Sequence, residues 1–189
     1  MVRAHFENIH IELIRLIESA KSDLKICVAW FTDFEIYKKV IERKREGVNV
    51  EIIIANHEFN RKSRVDFKEL LNLKGKVGYI GKLEGGAKDK FMHHKFCIID
   101  NETVVTGSYN WSFKARRNDE NILVITNEAQ LVKQFSQKFC EINPQFGFAI
   151  EGSNVKILPI EKIMAKWNAP LPVKKKQKDN SIQNITDKF

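Results

Sequence analysis

Residues 93–112 of the 189-residue chain read HHKFCIIDNETVVTGSYNWS. His93 and Lys95 stand two apart at the start of an apolar run, so on a strand their side chains share a face. Ser108 and Asn110 are spaced in the same way at the end of the next run, TVVTGSYNW. The short turn NE between the runs predicts an antiparallel hairpin. Such a hairpin gathers an imidazole, an ammonium, a hydroxyl and an amide into one patch, with no acid among the four. That composition suits a phosphate diester and the charge that grows on its non-bridging oxygens. Gly107 leaves room where a backbone passes close to another strand or to a ligand.

A metal-dependent hydrolase needs a cluster of carboxylate ligands. This stretch offers one, Asp100, five residues after Lys95 and on the opposite face of a regular strand. No metal and no cofactor are therefore expected, which leaves neutral imidazole as the nucleophile. His93 is the candidate, while His94 points to the other face and reads as structural. His5, His10 and His57 lie in no motif and read as surface or satisfied core groups.

The surrounding elements must present this hairpin. Ile9, Leu13, Leu16, Ile17 and Ala20 recur at helical spacing over residues 6–21. DLKICVAWF reads as a strand, Asp33 as the cap of a second helix ending at Gly47, and VNVEIIIAN as a strand buried on both faces. A short helix follows around Phe67, Leu70 and Leu71, then a strand over Lys76 to Ile80. This alternation predicts an α/β domain with a largely parallel core flanked by helices. After the hairpin, NILVIT is a further strand and AQLVKQFSQKFCEI a helix with Leu131, Phe135 and Phe139 in line. GFAIEGSNVKILPI reads as a strand or an extended arm. The expected division is a catalytic domain over 1–143, an extension over 144–170 packed on the domain or on a dimer, and a basic mobile tail over 171–189.

His93, Lys95 and Asp100 fit H-x-K-x4-D, and Gly107, Ser108 and Asn110 fit G-S-x-N seven residues beyond the Asp. This resembles the HKD motif of the phospholipase D superfamily, and the order of elements resembles its small single-motif bacterial nucleases. The resemblance implies a phospholipase D-like mixed sheet with one HKD hairpin per chain, a covalent phosphohistidine and a supporting role for Asp100. It also implies that Glu120 is the acid that orients the nucleophilic histidine, with Asn118 and Asp119 as neighbouring alternatives. In the family a second HKD histidine serves as acid and base. This chain has one motif, so the resemblance implies a homodimer with its active site at the two-fold axis.

Thirty-two Lys and Arg against 24 Asp and Glu leave a charge of +8, which favours polyanionic partners. Basic residues flank the motif at Arg61, Lys62, Arg64, Lys82, Lys88, Lys90, Lys114, Arg116 and Arg117, either as a solvated surface or as a substrate groove. Trp30 and Trp111 either line the cleft or pack in the core. The expected substrate-binding set is Trp30, Lys90, Trp111, Arg116 and Arg117. The expected activity is a metal-independent nuclease on DNA or RNA. The alternatives are a lipid phosphodiesterase of the same chemistry, which would want an exposed apolar entrance, and a non-catalytic nucleic-acid-binding module. No segment reads as a signal peptide or a membrane span, though an anionic membrane surface is a possible partner. Cys27, Cys97 and Cys140 suggest neither a disulfide framework nor a metal site. A reducing, cytoplasmic location is the expectation.

Overall fold

A computed structural model describes residues 1–83, 85–86, 88–142, 146–151, 154–162 and 165, with backbone alone over 146–157. The tail over 171–189, including its lysine run, lies outside the described residues. Among the described residues, nine strands form one sheet. In chain order they are β1 (Val2–His5), β2 (Asp23–Val28), β3 (Asn49–Ala55), β4 (Lys76–Ile80), β5 (Lys95–Ile99), β6 (Thr103–Gly107), β7 (Ile122–Thr126), β8 (Phe146–Glu151) and β9 (Asn154–Pro159). The helices are α1 (Ile9–Glu18), α2 (Phe34–Arg45), α3 (Glu58–Arg61), α4 (Lys68–Asn72) and α5 (Ala129–Glu141).

The strand order is β1-β7-β6-β5-β2-β3-β4-β8-β9. β2, β3 and β4 run parallel at the centre, as strand–helix alternation demands. Every other pairing is antiparallel, so the sheet is mixed and mainly antiparallel. Two features escaped the sequence reading. β1 adds an edge strand against β7, and α3 is a single turn after β3. β8 and β9 extend the sheet beyond β4.

Side-chain alternation divides the core between the two faces of the sheet. Leu24, Ile26, Val28, Cys97 and Ile99 pack with α1, α2 and α4. Cys27, Ile53, Phe96 and Ile98 pack with α5. Each such apolar side chain contributes roughly 1.5–3 kcal/mol by leaving water. On α5 the buried line is Val132, Phe135 and Phe139 rather than Leu131, which is exposed. Asp33 caps α2 as predicted, accepting from the N–H groups of Glu35 and Ile36 at 3.0 and 3.3 Å.

The hairpin connection takes in Asp100 as well as the expected Asn101 and Glu102, since Ile99 pairs with Thr103. Asp100 and Asn101 both have positive φ, 53° and 55°, a backbone conformation that Asp and Asn tolerate. The turn aims the Asp100 carboxylate at the start of β2. There it accepts from the N–H groups of Lys21, Ser22 and Asp23 at 2.7–3.1 Å and from the Ser22 hydroxyl at 3.1 Å. Burial opposes its ionisation, but these donors prevail and hold the carboxyl below its usual range. Asp100 thus locks the HKD hairpin to β2 at the end of β5 remote from His93.

Gly107 is the point of closest approach between β6 and β7. A Cβ there would lie 2.1 Å from the Asn121 carbonyl oxygen and 2.8 Å from the Ile122 Cα, both backbone atoms. Gly107→Ala is expected to force the two strands apart and destabilise the fold by about 1–3 kcal/mol. Chemical denaturation should show a lower midpoint; an unchanged midpoint would mean that the strands part freely.

Candidate active site

The strand registers place the motif residues at one end of the sheet. Lys95 lies opposite Val28, the last residue of β2, and Gly107 lies opposite Ile122, the first of β7. His93, Lys95, Ser108 and Glu120 therefore gather where the parallel strands end, the edge at which α/β sheets bind ligands. This edge is pinned from below by Asn60, which is 2% exposed. Its amide donates to the carbonyls of Ala29 and Ala55 at 2.7 and 2.8 Å and accepts from Phe31 N–H at 2.8 Å. No sequence pattern flagged Asn60; an amide beside an apolar strand end was the only signal.

His93 is exposed, its ring edge-on to Trp30 at 5.7 Å. Partial burial, with Lys95 beside it, lowers its pKa below the ordinary imidazole value, which favours the neutral ring. Lys95 is half-buried and donates to the His93 carbonyl at 2.8 Å. Burial lowers the Lys95 pKa, opposed by the negative charge of Glu120. The Ser108 hydroxyl donates to the Glu120 carboxylate and accepts from Asn121 N–H at 3.1 Å. Asn110 is 9% exposed, and its Oδ1 is buried with no hydrogen-bond partner among the described residues.

Several sequence expectations change here. Glu120 is engaged by Ser108 and, at 3.3 Å, by Asn118; no bond to His93 is formed within the described chain. Trp111 is 3% exposed, packed edge-on against Phe31 at 5.0 Å, and is a core residue rather than a cleft wall. Arg116 is not a free cation. Its guanidinium donates to both oxygens of the fully buried Asp33 at 2.8 and 2.7 Å and to Glu35 at 2.8 Å. Lys90 and Arg117 are exposed and lack a carboxylate partner among the described residues. His94 faces away from His93 and packs on Phe96.

The structure also gathers rings that the sequence kept apart. Trp30 contacts His57 at 6.0 Å, Phe59 at 6.2 Å and Phe91 at 6.3 Å. Phe59 and Phe91 remain 59% and 44% exposed. The phosphodiester patch is thus flanked, on the β2–β3–β4 side, by an exposed aromatic rim. Among the described residues, no three His, Cys, Asp or Glu lie together in a way that could hold a metal ion. No helix among them is long and apolar enough to cross a membrane.

A family described as "Cardiolipin synthase, PLD-like domain" matches residues 13–142. The chain belongs to the phospholipase D superfamily. A mitochondrial cardiolipin hydrolase from Chlamydomonas reinhardtii is 33% identical over 131 residues, covering 68% of this chain and 54% of that protein. The protein of the same name from Danio rerio is 25% identical over 137 residues, covering 68% and 55%. The chain therefore spans little more than half the length of these relatives. The phospholipase D family member Nuc from Salmonella typhimurium has the same fold, with a TM-score of 0.63 and 26% identity over 75% of this chain and 93% of that one. The mixed sheet flanked by helices is the phospholipase D-like architecture expected from the motif. The cytoplasmic expectation is overturned, because these curated relatives are named as mitochondrial proteins. Free thiols are compatible with more than one compartment.

Proposed function

We propose that the chain is a phospholipase D-type phosphodiesterase that uses His93 as its nucleophile on a phosphatidyl substrate. The observation that carries this reading is the convergence of His93, Lys95, Ser108 and Asn110 on one sheet edge, beside an exposed aromatic rim. The neutral imidazole attacks phosphorus, and Lys95 balances charge on the non-bridging oxygens. The bond to the leaving oxygen breaks as a second imidazole supplies its proton. Water then attacks the phosphohistidine, giving its proton to that imidazole, and the P–N bond breaks. The second imidazole is His93 of the partner subunit in a homodimer. Asp100 acts by holding the hairpin, and Glu120 by fixing Ser108.

The cardiolipin hydrolases among the relatives favour a lipid diester and a mitochondrial setting. A nucleic-acid diester is the second reading, favoured by Lys90 and Arg117, which have no carboxylate partner among the described residues, with Trp30 as a stacking surface. Cardiolipin vesicles, plasmid, single-stranded DNA and RNA incubated in parallel with excess EDTA separate the two. Phosphatidic acid should appear from the vesicles. Cleavage of nucleic acid alone would reverse the choice, and activity restored only by added metal would remove the histidine mechanism. Sharing of the site is tested by refolding equal amounts of wild type and His93→Ala together. After confirmed exchange, activity should fall to about a quarter of an all-wild-type sample. Retention of half would make the sites independent and point to His57, which shares the Trp30 cluster, as the acid.

A further inference from the structure

The aromatic rim continues into a basic surface that the reaction does not use. Ser108 and Glu120 lie on the β6–β7 side of His93, whereas the ends of β2, β3 and β4 lie on the other side. There the segments 57–66 and 81–94 meet. Phe59 and Phe91 both pack on His57 and Trp30. Asn56 ties the segments together, donating to the Gly81 carbonyl at 2.8 Å and accepting from Arg61 at 2.7 and 3.0 Å. Phe59, Phe91 and Leu83 are exposed.

The two segments carry six cations, Arg61, Lys62, Arg64, Lys82, Lys88 and Lys90, against four acids, Glu58, Asp66, Glu84 and Asp89. Lys62 is paired with Glu58 and Lys82 with Asp89. Arg61 is held by a neutral amide, so its charge stands. Arg64, Lys88 and Lys90 are exposed and have no carboxylate partner among the described residues.

From this juxtaposition of exposed rings and cations without a carboxylate partner among the described residues, we propose that the surface formed by residues 57–66, 81–83, 85–86 and 88–92 docks on an anionic lipid bilayer, with Phe59 and Leu83 entering the headgroup layer. The inference deepens the lipid reading above and rests on it. Exposed rings and an aliphatic tip on segments that also carry exposed Lys and Arg match the two demands of such an interface, apolar burial and attraction to anionic headgroups. The partner subunit of the shared-site dimer meets the edge at His93; a two-fold contact carried on over Arg64, Lys88 and Lys90 would set like charges together. Nucleic acid fits less well than a bilayer. Leu83 has no face for a base, and the rings meet edge-on or tilted instead of opening a stacking slot.

The test uses the full chain and two double variants, Phe59→Ser with Leu83→Ser and Arg64→Glu with Lys88→Glu. Phe91 is left intact because it packs on His93 at 5.7 Å. Binding is read by co-flotation with vesicles of phosphatidylcholine alone or mixed with phosphatidylglycerol, and catalysis by hydrolysis of soluble bis(p-nitrophenyl) phosphate. Wild type should float with the anionic vesicles and much less with the neutral ones. The apolar variant should bind roughly tenfold more weakly. The charge-reversed variant should lose at least about 25-fold, since each reversal removes a cation worth roughly five-fold and adds an anion, along with much of the salt dependence. Both should hydrolyse the soluble diester at the wild-type rate. Equal binding by either variant, or no preference for anionic vesicles, would overturn the surface. RNA or DNA binding that both variants weaken, with vesicle binding unchanged, would reassign it to nucleic acid. Vesicle binding without hydrolysis of any diester would leave the surface standing and sink the enzymatic reading, so the two failures are distinguishable.

Discussion

His93→Ala is expected to lower phosphodiester turnover by about a thousandfold or more, with an unchanged denaturation midpoint. His94→Ala should cost no more than about tenfold. The magnitude follows from removing the group that forms the covalent bond, for which neither Lys95 nor Ser108 is a substitute. Folding is spared because His93 is exposed and its ring makes no hydrogen bond among the described residues that would hold the strands together. His94 packs on Phe96 toward the α5 face, away from the patch. The pH dependence has a definite sign. Partial burial and Lys95 both disfavour the imidazolium of His93, so its pKa lies below the ordinary value of about 6.5. The neutral, attacking form therefore survives further into acid than a free imidazole would, and the acid limb of kcat/KM should fall below that value. Lys95→Gln removes one of the two causes, and NMR titration should then find the His93 pKa raised. A reversed ranking of the two histidine variants, or a His93 pKa unmoved by Lys95→Gln, would show that the pair is misread.

The HKD hairpin was legible because its information is local. A period of two, a turn tolerant of positive φ at Asp100 and Asn101, and two fixed gaps are all written in consecutive residues. The parallel centre was legible for the same reason, through apolar strands alternating with helices. What escaped is carried by residues far apart in the chain. β1 is largely exposed and gains its strand geometry only from pairing with β7, more than a hundred residues away. The rim of Trp30, Phe59 and Phe91 comes from three separate segments and has no periodicity to reveal it. Trp111 follows a site residue in sequence, yet Phe31 draws it into the core. Adjacency along the chain is a weak guide where the backbone is irregular, as it is from Ser108 to Asn121.

Arg116 and Arg117 make the same point energetically, since two adjacent arginines are expected to behave in opposite ways. Arg116→Met should destabilise the protein by about 3–5 kcal/mol. Asp33 has no exposed surface, and Arg116 supplies both of its charge-assisted hydrogen bonds while its own side chain is 17% exposed. Removing the guanidinium strands a buried carboxylate, the costliest way to break such a pair. The Phe113 ring, 4.2 Å from the guanidinium carbon, loses its cation as well. Asp33 also caps α2, and its N–H donates to the Trp111 carbonyl at 2.9 Å. The pair therefore fastens the segment from Ser108 to Glu120 to the rest of the domain. Adding Asp33→Asn should recover much of the loss, because a neutral amide tolerates burial better than a lone charge. Arg117→Met should leave the denaturation midpoint unchanged to within about 0.5 kcal/mol. If this cation meets a polyanionic substrate, its loss should flatten the salt dependence of binding. Arg116→Met, measured where the variant is fully folded, should leave that slope alone. A stable Arg116→Met protein with a flattened slope would restore Arg116 to the binding surface and remove it from the scaffold.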